Sequence, residues 1–326
     1  MITSERGVLL LQDDEYANSQ VSEAFVLGFS ANLDRLPAPL FAVLDGGCFE
    51  DLEDDLEQAG IACQSLFLSG GDREMRRDGP WLVMLRDRRI REHIESLALE
   101  APCAVFWSCP DGEQKLLRHL RAINQIRIPD QNATDKDERH GKPLRYERVL
   151  FRHWDPTVLS HLLPILSPEQ LARFFGPAPA ILFNTGEERV KRAVRSVSLP
   201  PPLPGPLTLT IEQIDQLQQA IDNSSTSAIA NYLRDAAPDV VSDLDDIELQ
   251  AQIDKARKSG NRIGLHTDED LGDWAFLYVA SKGEVTLDRK LINYVRSGEG
   301  GDRRDLKRTP AQRLRKAIEA AAATEG

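Results

Sequence analysis

The chain has 326 residues, of which 41% are hydrophobic and 28% are charged, and its formal net charge is -12. This length exceeds one typical domain and accommodates two, and the composition is that of a folded globular protein. The acidic balance argues against general nucleic-acid binding, because that function requires a basic surface. No apolar stretch approaches the roughly 20 residues that span a bilayer, so no membrane association is predicted.

The N-terminus and the cysteines predict a cytoplasmic protein. The only early apolar run covers residues 8–11 and acidic residues follow it at 13–15, so no secretory signal peptide is expected. The four cysteines form no CxxC pair and no cysteine–histidine set with the spacing of a zinc site. We interpret them as reduced thiols, and they are Cys48, Cys63, Cys103 and Cys109.

Short apolar runs alternate with amphipathic segments over the first part of the chain. Residues 40–44 are typical of a buried strand, which Asp45 and two glycines end. Further strands are predicted at 61–68, 81–85, 103–107, 145–154 and 180–183. Helices are predicted at 49–59, 88–99 and 111–123. This alternation favours an α/β domain over residues 1–195, with a mixed sheet flanked by helices.

Two helix starts are marked by capping residues. Asp155-Pro156 places a carboxylate at the N-cap and a proline at the first helical position. The segment from Ser167 to Gln170 repeats the proline and adds a capping-box glutamine. The polar residues 130–142 predict a long loop.

A proline-rich segment divides the chain. Five prolines lie between residues 200 and 206, and such a stretch cannot continue a helix. We place a linker at 196–207 and a smaller all-α domain with a basic tail at 208–326. A capping box at Thr210 and Gln213 opens its first helix, and apolar stripes at helical spacing predict four more.

The sequence contains no motif that specifies a catalytic, cofactor or metal site. It lacks a GxxxxGK[ST] loop, a GxGxxG turn, a GxSxG elbow and an HExxH helix. The best local cluster joins Arg152, His153 and Asp155 at a strand-to-helix junction. His153 and Asp155 could form a catalytic pair on one strand face, or Asp155 could be the N-cap and Arg152 the partner of an acid. Asp45 is either a strand-end site residue or part of a plain turn.

Several aromatic and arginine residues are candidates for partner recognition. Trp81 follows Gly79-Pro80 at the start of a predicted strand. The end of a predicted helix contains Arg173, Phe174 and Phe175. Aromatic and arginine side chains are common interface anchors, although aromatic residues also form cores.

The motifs in chain order resemble the type VI secretion effector-chaperone/adaptor family, also called Tap or TEC proteins. The resemblance covers about residues 40–183 and includes a helical remainder like the tail of many members. It is carried by Asp45-Gly46, Gly79-Pro80-Trp81, Arg152-His153-Trp154-Asp155-Pro156, Ser167-Pro168-Glu169-Gln170 and Phe174-Phe175-Gly176-Pro177. The family usually has two aromatic residues before Asp-Pro, whereas this chain has His153-Trp154, which makes a histidine-specific role less expected.

The resemblance implies a function and partners. Members bind a cognate secreted effector and load it onto the spike protein VgrG, and they are not known as enzymes, so no cofactor is expected. The resulting candidate partner-binding or motif residues are Asp45, Trp81, Arg152, Trp154, Asp155, Arg173, Phe174 and Phe175. Two alternatives stay open, an immunity protein that neutralises a toxin and an enzyme that uses Asp45, His153 or Asp155.

Overall fold

The computed structural model describes residues 2–3, 8–11, 22–67, 73–130, 145–186 and 189–325. The chain forms two compact units, residues 1–217 and 218–326. Most of the polar loop predicted at 130–142 lies outside the described residues. Residues 208–217, which the sequence assigns to the helical domain, fall in the first unit, because Leu207 and Leu209 are buried in its core.

An eight-stranded sheet forms the centre of the first unit. Its spatial order is β1-β2-β10-β9-β6-β3-β5-β4. The strands of this sheet are β1 Ile2–Thr3, β2 Val8–Leu11, β3 Leu40–Asp45, β4 Cys63–Ser65, β5 Pro80–Met84, β6 Ala104–Ser108, β9 Ala180–Asn184 and β10 Val190–Arg195. A second sheet pairs β7 Gln125–Pro129 with β8 Tyr146–Leu150.

The α/β fold class is confirmed, with one correction to the pairing. All strand pairs in the described part of the main sheet are antiparallel, whereas the sequence predicts a mixed sheet. The helix between β5 and β6 connects two strands that run in the same direction. However, β3 lies between these two strands and is antiparallel to both, so they never pair.

Helices cover both faces of the sheet, because alternate residues of each buried strand point to opposite faces and both sets are apolar. In β3, Phe41 and Val43 join one core, while Ala42 and Leu44 join the other. The helices of this unit are α1 Glu23–Asp34, α2 Leu52–Gln58, α3 Arg73–Arg77, α4 Arg88–Glu100, α5 Glu113–Ile123, α6 Pro156–Leu162 and α7 Pro168–Phe175. Helices α1, α2 and α4 contribute to the second core, and α5, α6 and α7 contribute to the first.

The strand predicted at 145–154 ends early, at Leu150, and β7 was not predicted. The outer side of β7 pairs with the chain that follows the proline-rich segment. The Arg127 amide donates to the Leu207 carbonyl at 2.8 Å, and the Leu209 amide donates to the Arg127 carbonyl at 2.9 Å. These hydrogen bonds hold residues 207–209 in place directly before the helix that begins at Ile211.

The predicted capping boxes are confirmed, and they are joined to each other. Ser167 and Gln170 cap α7, while Thr210 and Gln213 cap α8 Ile211–Ala236. The two glutamine side chains exchange reciprocal hydrogen bonds of 2.9 and 2.6 Å. The start of α8 is therefore tied to the start of α7.

The second unit is helical, as predicted. Helix α8 runs on into it, so the first two of the five predicted helices are one. The following helices are α9 Pro238–Val241, α10 Asp246–Arg262, α11 Asp268–Ala280, α12 Arg289–Ser297 and α13 Pro310–Glu325. Trp274 is buried at the centre and donates its indole N–H to the Ser259 hydroxyl at 2.8 Å. Among the described helices of the chain, none is long and apolar enough to cross a membrane.

Candidate functional site

The Asp-Gly and Gly-Pro-Trp motifs meet at one end of the main sheet. Asp45, the last residue of β3, is in register with Pro80 of β5, and the Gly46 amide donates to the Gly79 carbonyl at 3.0 Å. A Cβ on Gly46 would lie 2.1 Å from the Arg77 carbonyl oxygen and 2.7 Å from that of Gly79. Both obstacles are backbone atoms, so only glycine fits at this turn.

The strand-to-helix junction brings Arg152 to the same place. Its Nη2 lies 2.5 Å from Asp45 Oδ2 and 3.5 Å from Asp155 Oδ2. Asp45 is only 4% exposed, while the Arg152 side chain is 51% exposed. We call Asp45, Cys48, Arg152 and Asp155 the Asp45 cluster. Its carboxylates are held by backbone as well as by the guanidinium.

The backbone contacts show what each carboxylate does in the fold. Asp45 Oδ1 accepts from the Gly47 amide at 3.1 Å, which closes the turn after β3. Asp155 Oδ1 accepts from the amides of Thr157 and Val158 at 2.9 and 3.2 Å, and this confirms its role as the N-cap of α6. Arg152 is paired with acids, as one of the two sequence interpretations expects.

Cys48 is exposed beside these charges, but its environment does not activate it. Partial burial of the sulfur raises the pKa of the Cys48 thiol although the residue as a whole is exposed, the charge of Asp45 raises it further, and Arg152 opposes the shift. A nucleophilic cysteine needs a lowered pKa. Burial also raises the pKa of Cys63 to about 11 and that of Cys103 to about 12.

His153 is buried behind the cluster among aromatic rings. Its ring centroid lies 5.1 Å from that of Trp154, 5.9 Å from Phe151 and 6.3 Å from Trp107. Burial lowers the pKa of His153 to about 3, so the imidazole is neutral near pH 7. It takes the place of an aromatic side chain, in agreement with the residue type that the resemblance leads one to expect here.

Asn124 joins three segments behind the Asp45 cluster, a role that was not predicted from the sequence. Its Oδ1 lies 2.8 Å from His153 Nε2, so the Nε2 of the neutral ring carries the proton and donates. Its Nδ2 donates to the Leu66 carbonyl at 3.0 Å, and its own carbonyl accepts from the Phe151 amide at 2.8 Å. The only local signal was a polar residue directly after the apolar stripe of α5.

The four aromatic candidates are core residues in this structure. Trp81, Trp154, Phe174 and Phe175 are all nearly inaccessible to solvent. Trp81 belongs to the core on one face of the sheet, and the other three belong to the core on the opposite face. The structure thus places these rings in packing positions, the alternative that their sequence pattern left open.

Arg173 lies away from the Asp45 cluster, on α7. It is half-buried. Burial of the neighbouring His119 lowers the pKa of that imidazole, a hydrogen bond of 2.8 Å to the Phe174 carbonyl opposes this shift, and the charges of Arg173 and Arg195 add to it. Gly176 follows with φ +51° and lies against the His119 ring, where a Cβ would come within 2.3 Å of Cε1. The Phe-Phe-Gly-Pro motif is therefore a tightly packed helix end.

The Arg152–Asp45 pair is expected to be energetically coupled. Arg152→Ala should lower the free energy of unfolding by about 1–2 kcal/mol, because among the described residues it leaves the buried Asp45 carboxylate with the Gly47 amide alone. A double-mutant cycle with Asp45→Asn, followed by urea unfolding, should give a coupling energy of about 1 kcal/mol. The exposed Arg88–Glu92 pair is the control and should give below about 0.5 kcal/mol. Equal coupling in both pairs would contradict a stabilising role.

Within the described residues, no group of three or more His, Cys, Asp or Glu side chains is arranged to hold a metal ion.

Residues 40–173 match a family model described as "Domain of unknown function (DUF4123)". This domain is known in effector chaperone and adaptor proteins of type VI secretion. The match covers less than half of the chain. No curated protein and no solved structure matches the chain.

Proposed function

We propose that this protein is a chaperone and adaptor of type VI secretion. It binds a cognate secreted effector in the cytoplasm and hands it to the spike protein VgrG, without catalysis and without a cofactor. The observation that carries the proposal is the DUF4123 match over residues 40–173, which includes every residue of the Asp45 cluster. Three of the motifs that resemble the adaptor family pack together at this end of the sheet, namely Asp45-Gly46, Gly79-Pro80-Trp81 and the segment from Arg152 to Pro156.

The contacts of the Asp45 cluster support a structural rather than a catalytic use of its polar groups. Asp155 is bound to backbone amides and Asp45 to Arg152 and the Gly47 amide. His153 is buried and pairs with Asn124. The closeness of Asp45 to Asp155 is what an enzyme would also require, but the pair lacks a neighbouring base or an activated nucleophile among the described residues.

Arg152 and Cys48 are the exposed members of the Asp45 cluster. Arg152 keeps half of its side chain in solvent while it is oriented by two carboxylates. An arginine that is already held in place loses less conformational entropy when a partner binds it. Arg152 is therefore the residue of this motif series that we expect to contact the effector.

Affinity purification tests the proposal. The tagged full chain is recovered from its native host and its companions are identified by mass spectrometry, with Arg152→Ala and the exposed-pair variant Arg88→Ala run in parallel. Recovery of a toxin-domain protein together with VgrG supports the adaptor. Loss of the toxin with Arg152→Ala but not with Arg88→Ala supports the role of Arg152. Recovery of neither toxin nor VgrG contradicts the proposal.

Recovery of a toxin alone is resolved by a protection assay. The protein and the toxin are expressed together in cells that lack the secretion system. An immunity protein rescues growth in that setting, whereas an adaptor has no need to do so. Rescue without any association with VgrG would replace the adaptor proposal by the immunity function.

A further inference from the structure

The second unit carries an open groove of about 510 Å³ along α12 and the turn after it. This volume is in the range of ligand pockets. The lining residues are Arg289, Lys290, Leu291, Asn293, Tyr294, Glu299 and Gly300. All of them lie within one stretch of the second unit, so the groove is complete in that unit alone.

The apolar part of the groove is fixed in place from behind. Leu291 and Tyr294 are half-buried and pack against the core of the unit. The Tyr294 ring lies so close to Gly301 that a Cβ there would come within 2.7 Å of Cε2. Leu287, which precedes α12 and does not line the groove, is 78% exposed. A soluble domain gains from covering such apolar surface.

The charged part of the groove is basic, although the chain as a whole is acidic. Arg289 and Lys290 are exposed and have no ion-pair partner among the described residues, and one acidic residue, Glu299, lines the groove with them. Two cations on α13 of the same unit are, by contrast, paired with acids. Arg315 lies within 4 Å of Glu269, Asp270 and Asp273, and Lys316 contacts Asp302 and Asp305.

We propose that this groove binds an acidic amphipathic segment of a partner protein. The apolar side chains of the segment pack on Leu291 and Tyr294, and its carboxylates pair with Arg289 and Lys290. A helix in a groove and a short extended peptide both satisfy this chemistry. That the segment belongs to the effector rests on the proposed function, while the groove and its preference for acidic peptides do not.

Fluorescence anisotropy with a synthetic peptide tests the groove. The probe is a labelled 12-residue peptide with leucine at helical spacing and glutamate at the other positions, and its lysine counterpart serves as the opposite-charge control. The full chain should bind the acidic peptide, with an affinity that falls as salt is added, and should not bind the basic one. The double variant Arg289→Glu/Lys290→Glu should bind at least about tenfold more weakly.

A matched variant separates the groove from net charge. Lys255 and Lys258 on α10 are also exposed and have no ion pair among the described residues, so Lys255→Glu/Lys258→Glu changes the net charge equally and should bind like the wild type. Circular dichroism of both variants should match the wild type. Equal weakening by the two double variants, or no binding of the acidic peptide up to about 1 mM, would overturn the proposal.

The two proposals fail in different ways. If the effector is recovered by the tagged chain but the peptide does not bind, only the groove is wrong. If the peptide binds at the groove and no toxin or VgrG is recovered, the groove stands and the adaptor proposal falls.

Discussion

Gly46→Ala is expected to lower the free energy of unfolding by about 3 kcal/mol. The added Cβ would lie 2.1 Å from the Arg77 carbonyl oxygen and 2.7 Å from the Gly79 carbonyl oxygen. Both are backbone atoms beside β5, so relief requires that β3 and the segment before β5 move apart. That movement would weaken the Gly46–Gly79 hydrogen bond and the turn that Asp45 closes. Urea unfolding at neutral pH measures the loss.

The next residue provides the control for this prediction. A Cβ on Gly47 would meet Asp45 Oδ1 at 3.4 Å and the Asp78 carbonyl oxygen at 3.6 Å, which is ordinary contact. Gly47→Ala should therefore change the free energy of unfolding by less than about 1 kcal/mol. Equal effects of the two substitutions would show that the close approach at Gly46 does not limit stability.

His153→Phe is expected to remove a large acid sensitivity. Folding lowers the pKa of His153 from 6.5 to about 3 because the ring is buried. Below pH 6.5 the unfolded chain takes up a proton that the folded chain does not, so stability falls as the pH falls and is fully present above 6.5. Between pH 6.5 and about 4.5 the wild type should lose about 2.3 kcal/mol that the variant retains.

The two stability curves should cross. At pH 7 the variant should be less stable by about 1 kcal/mol, because Asn124 Oδ1 loses its donor, although the new ring fits among Trp107, Phe151 and Trp154. Urea unfolding at a series of pH values measures both proteins. His266 is exposed, and His266→Phe should keep the acid loss of the wild type. Parallel curves for His153→Phe and wild type would show that the buried ring does not cause this loss.

Features of the fold that depend on local rules could be predicted from the sequence. Asp155, Ser167 and Thr210 cap helices as expected, because a side-chain oxygen next to the first turn has backbone donors within reach whatever the rest of the chain does. The buried strand at 40–44 was also predicted, because a continuous apolar run of that length is typical of a strand covered on both faces.

Features that depend on pairing between distant segments could not be predicted. β10 contains Lys191 and Arg192 side by side and shows no clear alternation, and β7 has only Ile126 and Ile128 as alternating apolar residues before a proline. Their strand conformation comes from partners elsewhere, namely β8 for β7, and β9 and β2 for β10. The antiparallel order of the sheet has the same origin, since no local pattern states which strand lies between two others.

The candidate site also contains some features that the sequence predicts and others that depend on contacts between distant segments. The sequence predicts that Arg152 pairs with an acid, but it does not identify Asp45, which is 107 residues away in the chain. Asn124 was missed because its contacts to Leu66 and His153 are 58 and 29 residues distant. The aromatic candidates were recognised as important residues, and only the three-dimensional packing assigns them to the core.

The reciprocal bonds between Gln170 and Gln213 couple two helix starts that are 43 residues apart in sequence. Fraying of either first turn breaks the shared pair and leaves the glutamine oxygen of the other helix with only its own N-cap amide. The first turns of α7 and α8 therefore open as one cooperative unit, and their amide protons should exchange with solvent at a common rate. Through this pair, the beginning of the long helix α8 takes its local stability from the α/β unit.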